Sequence, residues 1–133
     1  MGVSTNGILV FGIQLPEEEK PEFLEEFDGD FDTFVDSLSG LPQWGEEGHD
    51  FAKDKAFRDS FPVDLVWHCS YDYPMFILTV RGTDETAYRG SPEVIDPEKL
   101  FVTLEKIEAL RSFCEEYGIE WEEPKWYLCS MWG

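Results

Sequence analysis

Two apolar runs separated by a polar, aromatic turn dominate the middle of the sequence, from Phe61 to Gly82. In the first run apolar residues fall at every second position, which is typical of a β-strand with one buried face. The second run, Met75 to Val80, is apolar on both faces and suits a strand covered on both sides. Asp72 and Pro74 lie between the runs and favour a chain reversal. The pattern therefore predicts a β-hairpin. Its core-facing residues are predicted to be Val63, Leu65, Trp67 and Cys69, with Asp64, Val66, His68 and Ser70 on a wetter surface.

Strands are also predicted near both ends of the sequence. Asn6 to Leu15 is apolar on both faces, so we expect it in the interior of the sheet. Gly12 within this run indicates a bulge or the close approach of another backbone, because glycine otherwise weakens a strand. Lys125 to Gly133 is predicted to form the last strand, with Trp126, Leu128 and Trp132 on one face.

Signals for short helices occupy the segment between the first strand and the hairpin. Asp30 as N-cap, apolar residues at helical spacing and Gly40 after the last turn predict a helix over Phe31 to Ser39. Pro21 to Phe27 is predicted to form another helical turn. Further along, Asp50 is predicted to cap a short helix. That helix would bury Phe51 and Phe57 in a flap anchored by Trp44.

The clearest helix follows the hairpin. Asp96 is its predicted N-cap, Pro97 occupies the first helical position, and Gly118 followed by Ile119 fits a Schellman end. The predicted buried stripe consists of Leu100, Phe101, Leu104, Ile107, Leu110, Phe113, Cys114 and Tyr117.

Together these elements predict an α+β fold in the order β-α-β-β-α-β. We expect a four-stranded antiparallel or mixed sheet, one long C-terminal helix and one or two short helices. This order is that of ferredoxin-like folds, with the first and third strands at the centre. The 133 residues, 42% hydrophobic and 16% aromatic, predict a single domain spanning 1–133.

The net charge of −19, from 29 acidic and 10 basic residues, narrows the classes of partner. Nucleic acids and anionic membranes would be repelled, so neither is expected as a direct ligand. High solubility, a basic protein surface and cations remain compatible with this charge. No apolar run approaches the about 18 residues of a membrane span, and the sequence starts without a basic flank typical of signal peptides. Three cysteines without paired spacing favour a reducing cytoplasm.

Carboxylates are densest between Pro16 and Asp36, where Phe23, Leu24 and Phe27 alternate with them. One interpretation is a surface that binds a basic protein, with these apolar residues as anchors. In its extreme form the carboxylates would replace phosphates against a nucleic-acid-binding protein. The plain interpretation places the apolar residues in the core and the carboxylates in water. The predicted interaction surface consists of Glu17, Glu18, Glu19, Glu22, Glu25, Glu26, Asp28, Asp30, Asp32 and Asp36.

A second candidate site combines the hairpin with the connection after it. Arg81 and Arg89 are each followed by glycine, and two arginines in one loop suit a carboxylate or phosphate ligand. Alternatively, they pair with nearby carboxylates such as Asp84, Glu85 or Glu93. The predicted pocket consists of His68, Tyr71, Asp72, Arg81, Tyr88 and Arg89.

No metal, cofactor or catalytic residue is predicted. Asp28 to Asp32 resembles the start of a calcium loop, but Thr33 and Ser39 occupy the positions where an EF-hand needs glycine and glutamate. His68 and Cys69 are neighbours on a strand and point to opposite faces. Thiol–imidazole pairing across space, of His49 with Cys69 or of His68 with Cys129, stays open beside the plain interpretation of a core cysteine and a surface histidine.

Four segments carry a resemblance to a known group of proteins. They are Asn6 to Gly12, His68 to Leu78, Ala87 to Pro92, and Trp126 to Gly133. They resemble small hypothetical proteins encoded by bacteriophages and prophages, a group to which no activity is attached. The resemblance implies a bacterial cytoplasm and a host-directed or accessory phage role.

From the sequence we expect a non-enzymatic cytoplasmic protein that binds a basic protein surface through its carboxylates. An inhibitor or nucleic-acid mimic directed at a nucleic-acid-binding protein is one form of this. The alternative is a small-molecule-binding protein or enzyme with a polar pocket at the hairpin and the following Arg/Gly loop.

Overall fold

The computed structural model describes residues 5–15, 22–27, 29–43, 45–70 and 73–132, apart from the side chain of Glu22. The described strands are β1 (Thr5–Gln14), β2 (Val63–Ser70), β3 (Pro74–Val80), β4 (Glu85–Ala87) and β5 (Lys125–Trp132). The α-helices are α1 (Phe31–Leu38), α2 (Phe51–Ser60) and α3 (Leu104–Glu116), and two 3₁₀ helices span Glu22–Phe27 and Pro97–Leu100. The predicted α+β class is confirmed.

The chain divides into two compact units. The first unit consists of residues 1–18 and 62–133 and contains the sheet and α3, whereas the second consists of residues 19–61 and contains α1 and α2. The single domain predicted for 1–133 stays a prediction.

The sheet is mixed and contains five described strands, so the predicted four strands are only approximate. β1 pairs antiparallel with β3, β4 and β5, whereas β2 pairs antiparallel with β3 and parallel with β5. The ferredoxin-like order is also approximate: β1 lies beside β3 and the last strand as that order requires, but β4 additionally pairs with β1, and β2 additionally pairs with β5. The pairings from β1 to β3, β2, β5 and back to β1 form a closed circuit. An apolar cluster of Ile8, Val10, Ile77 and Met131 lies on one face of it, with Val66, Tyr127 and Cys129 packed against it.

Gly12 lies at a close approach of two strand backbones within the sheet. It pairs with Thr79 of β3 on one side and with Lys125 of β5 on the other. A Cβ atom at Gly12 would lie 2.1 Å from the Leu78 carbonyl oxygen and 2.8 Å from the Thr79 Cα. The tight contact predicted for this glycine is confirmed.

The β2–β3 hairpin is confirmed, but part of its predicted facing is wrong. Val63 is buried as predicted, whereas Trp67 is 46% exposed and His68 only 9% exposed. Val66, predicted on the wetter face, packs against the apolar cluster, and His68 follows it by two residues on the strand. Alternation holds from Val63 to His68, and long-range pairing accounts for the difference. The end of β2 pairs with β5 next to Met131 of the apolar cluster, so the face of Val66 and His68 is enclosed and the side chain of Trp67 points the other way.

The predicted C-terminal helix is divided. Asp96 caps only a 3₁₀ turn, and α3 begins at Leu104 after Thr103, whose hydroxyl accepts a hydrogen bond from the Lys106 N–H. The buried stripe holds at Leu110, Phe113 and Cys114 but is wrong for Leu100, Phe101 and Leu104, which are exposed. The Schellman end is confirmed, because the Ile119 N–H donates to the Cys114 carbonyl at 2.9 Å and Gly118 has a φ of 68°.

The helices of the second unit begin where the sequence predicts. Asp30 caps α1 and Asp50 caps α2, each through its side chain. Phe51 is 66% exposed, so its predicted burial is wrong; its ring meets the His49 ring edge-to-face, with 4.5 Å between the ring centroids. His49 Nε2 also lies 2.5 Å from Asp54 Oδ2, and both of these side chains are 10% exposed. Trp44, the predicted anchor of the flap, lies outside the described residues.

No helix in the described part of the chain is long and apolar enough to cross a membrane.

Candidate functional site

The described carboxylates of the acidic segment are mostly exposed. Glu25 and Glu26 lie on the 3₁₀ helix Glu22–Phe27, and Asp32 lies in the first turn of α1. Within the described residues these three side chains form no ion pair, which leaves their charges uncompensated at contact distance. Glu17, Glu18, Glu19, Asp28 and the side chain of Glu22 lie outside the described residues.

Two other predicted members of this surface have internal roles. Asp30 accepts hydrogen bonds from the Asp32 and Thr33 N–H groups and so caps α1. Asp36 is held by Arg58, whose Nη1 lies 3.0 Å from both carboxylate oxygens. Burial lowers the pKa of Arg58, but its hydrogen bond to Asp36 and the surrounding carboxylates outweigh burial, and the net pKa is raised. Asp36 is therefore a structural ion-pair partner.

The apolar residues of the acidic segment lie inside the second unit. Leu24 is fully buried, and the Phe34 ring packs against Phe23 at 5.1 Å, Phe27 at 5.5 Å and Phe31 at 5.8 Å between ring centroids. Edge-on and tilted aromatic pairs at these separations are favourable beyond the area that they bury. These side chains therefore form a core, and their predicted use as anchors for a partner is not supported by their placement.

Many of the few Lys and Arg side chains form ion pairs with carboxylates. In the second unit Lys55 pairs with Asp59 at 2.7 Å, in addition to the Arg58–Asp36 pair. In the first unit the pairs are Arg81 with Asp64, Lys99 with Glu85, and Arg111 with Glu115. Residues 19–61 carry thirteen carboxylates and four Lys or Arg side chains. The field at the surface of this unit is consequently negative.

The pocket predicted at the hairpin is not assembled by its described members. The Arg81 guanidinium donates to the Val63 carbonyl at 3.2 Å and lies 3.8 Å from Asp64. His68 lies five residues after Val63 along β2, which is roughly 16 Å at the rise of a strand. Tyr88 and Arg89 are exposed. Tyr71 and Asp72 lie outside the described residues. The prediction is therefore judged by Arg81 and His68, and these two side chains do not line a common pocket.

His68 is the buried polar group of greatest interest. Its Nε2 atom has no hydrogen-bond partner among the described residues, although the side chain is buried. Burial without compensation disfavours the imidazolium, and desolvation lowers the pKa of His68 from its ordinary value of 6.5. The predicted surface position of His68 is therefore wrong, since the imidazole is buried and its burial disfavours the protonated form.

This burial predicts a pH-dependent stability. Below about pH 6.5 the unfolded chain protonates His68 while the folded chain resists protonation, so the unfolded state binds more protons and folding stability decreases as the pH is lowered. Above the pKa that His68 has in the unfolded chain, this loss of stability is absent. We expect His68→Leu to lose less stability than the wild type between pH 7.5 and pH 5. Urea unfolding at both pH values measures the difference, and equal losses in the two proteins would contradict the prediction.

Two of the three thiols lie in surroundings that disfavour the thiolate. Burial raises the pKa of Cys114 to about 11 and also raises the pKa of Cys129. Since the thiolate is the reactive form, both groups are poor nucleophiles at neutral pH. The His68 Nε2 has no hydrogen bond from Cys129. No group of three or more His, Cys, Asp or Glu side chains within the described ranges is placed to hold a metal ion.

One exposed apolar surface was missed by the sequence interpretation. Leu128 is 83% exposed and Trp132 58% exposed on the outer face of β5, and Phe101 and Leu104 are exposed near the start of α3. Alternation along β5 predicts that Leu128 and Trp132 share a face, but not that the described chain leaves this face exposed. For Phe101 a usable signal was Thr103, a residue type favoured at helix N-caps, since α3 begins directly after it.

Comparisons with protein-family models, with characterised proteins and with solved structures found no match to this chain.

Proposed function

We propose that this protein binds a basic surface of another protein through the exposed carboxylates of its second unit. The observation that carries this proposal is the set of exposed Glu25, Glu26 and Asp32 side chains without an ion pair in the described structure. They belong to a chain with a net charge of −19. Such a surface attracts a cationic partner and repels nucleic acid and anionic lipid.

The physical consequence of this arrangement is binding led by charge. Exposed carboxylates at the rim of an interface chiefly accelerate association and select partners by sign, and salt screens both effects. Carboxylates without cations also imitate the backbone of a nucleic acid. A nucleic-acid-binding protein is therefore the partner class that we propose. The phage resemblance supports an inhibitor of such a protein in a bacterial cytoplasm.

The test compares two double charge reversals in capture from nuclease-treated bacterial lysate. Glu25→Lys with Glu26→Lys alters the proposed surface, whereas Glu122→Lys with Glu123→Lys makes the same charge change at two exposed residues of the first unit. We expect the first variant to lower the affinity for the captured partner by about tenfold, or about 1.4 kcal/mol. The second variant is expected to stay within about twofold of the wild type.

Salt and DNA identify the kind of binding. We expect the captured partner to elute with added salt and to be displaced by duplex DNA, because the partner's basic surface would otherwise hold phosphates. Equal effects of the two reversals would show that only net charge matters and would overturn the assigned surface. Capture of no stoichiometric partner at low salt would overturn the proposal as a whole.

A further inference from the structure

Three strands of the first unit place a set of small residues between two rows of larger side chains that include Leu128 and Trp132. Cross-strand partners lie on the same face of a sheet, as do residues two apart along a strand. Gly7 of β1 pairs with Ala87 on one side and Ser130 on the other. Two residues further along β1, Leu9 pairs with Leu128 and Glu85.

The opposite wall lies at the start of β1. Thr5 pairs with Trp132, whose side chain is exposed, as is that of Leu128. The Leu128 and Trp132 Cα atoms are four residues apart, which is about 13 Å along a strand. We call this surface the trough: its floor is Ala87, Gly7 and Ser130, and its walls are Leu9 with Leu128 and Glu85, the last ion-paired with Lys99, and Thr5 with Trp132.

The floor is open. A Cβ atom added at Gly7 would have no neighbouring atom within 4 Å, so the described chain does not fill the space above it. The apolar surface continues past Leu128 to Trp126, whose ring packs on Phe11 at 5.3 Å and whose Nε1 donates to the Leu100 carbonyl at 3.2 Å. Leu128 and Trp132 therefore expose apolar side chains on both sides of an open floor, the kind of surface to which a partner side chain can bind.

Charge selects the occupant of the trough. A second copy of this chain would bring another net charge of −19 against the first, and anionic lipid or nucleic acid would also be repelled. A segment rich in Lys or Arg is attracted by the same field. We infer that the trough takes an aliphatic or aromatic side chain from a basic segment of another protein. This inference rests on the proposed function for the sign of the partner's charge.

The test uses three synthetic hexapeptides, KKLWKK, KKGSKK and EELWEE, with the full-length chain. Titrations are followed through the indole N–H signals of Trp126 and Trp132 in isotope-labelled protein. We expect KKLWKK to bind at least about tenfold more tightly than either other peptide, because it alone combines positive charge with apolar side chains.

Two variants locate the site, and a third variant serves as the control. Gly7→Thr fills the floor without adding an apolar anchor, at a strand position where a Cβ meets nothing. Leu128→Ser removes an exposed wall and leaves the core untouched. We expect each to weaken KKLWKK binding by about fivefold to tenfold while leaving KKGSKK unchanged. Ser112→Thr, on the exposed face of α3, is expected to have no effect.

Three outcomes would overturn the inference. Unchanged KKLWKK affinity in both trough variants would place any binding elsewhere. Equal binding of KKLWKK and EELWEE would remove the basic partner, and a wild-type dimer that Gly7→Thr dissociates would assign the trough to a second copy. The charge reversal at Glu25 and Glu26 tests the proposed function separately, because neither residue belongs to the trough.

Discussion

Gly12→Ala is expected to destabilise the protein by about 3 kcal/mol or more, at the upper end of the range for overpacked positions. The added Cβ would lie 2.1 Å from the Leu78 carbonyl oxygen and 2.8 Å from the Thr79 Cα. Both are backbone atoms of a paired strand, so no side-chain rotation relieves the contact. β1 and β3 would have to separate where they pair through Gly12 and Thr79. The shift in the midpoint of urea unfolding measures the loss.

The matched control is Gly7→Ala, the same substitution in the same strand. Its Cβ would meet nothing within 4 Å, so only the conformational term remains. Replacing a strand glycine by alanine reduces the freedom of the unfolded chain, and we expect a gain of about 0.4–1 kcal/mol. If both variants shifted the midpoint in the same direction by similar amounts, the close approach at Gly12 would not be the cause.

The features predicted correctly from sequence depend on few neighbours. The caps at Asp30 and Asp50 follow from residues two or three positions away, and the helix end at Gly118 follows from the need for a positive φ. Gly12 belongs with them in part: a glycine inside a strand apolar on both faces indicates a close approach, although the approaching residue lies on β3.

The local sequence pattern could not predict which face of β2 is buried. Alternation groups Trp67 with Leu65 and His68 with Val66, but it does not say which group is enclosed. The choice is made by long-range pairing: β2 meets β5 at Cys69 and Ser70, near Met131 of the apolar cluster. Hydrophobicity favours Trp67 inside, yet the fold buries His68, because tertiary pairing overrides the local preference.

The same limit applies to the candidate sites. Exposure of Glu25 and Glu26 follows from charge alone, since ionised carboxylates rarely lose their water. Whether Arg81 meets His68 depends on where each lies along the hairpin. The register pairs Val63 with Val80 and His68 with Met75, which places Arg81 at one end of β2 and His68 near the other. A sequence pattern that lists polar residues near a hairpin does not contain that distance.

Leu24→Ala is expected to cost about 2–5 kcal/mol of folding stability, the range for a buried leucine that leaves a cavity. Leu24 lies in the middle of the acidic segment but is fully buried. Its 3₁₀ helix packs on α1, where Phe34 contacts Phe23 and Phe27. Urea unfolding followed by far-ultraviolet circular dichroism measures the loss as a lower midpoint.

Glu25→Ala separates the two roles of this segment. Glu25 is the next residue and is exposed, so its truncation is expected to change stability by no more than about 0.5 kcal/mol. If Leu24→Ala left the midpoint unchanged and instead abolished capture of the partner, Leu24 would be an anchor and the plain interpretation would fail. The expected opposite result means that the apolar residues of the segment stabilise a scaffold and that its carboxylates are free to act on a partner. The two roles are compatible because the burial of Leu24 fixes the backbone of this segment. Glu25 and Glu26 then point outward, and in the described structure neither forms an ion pair.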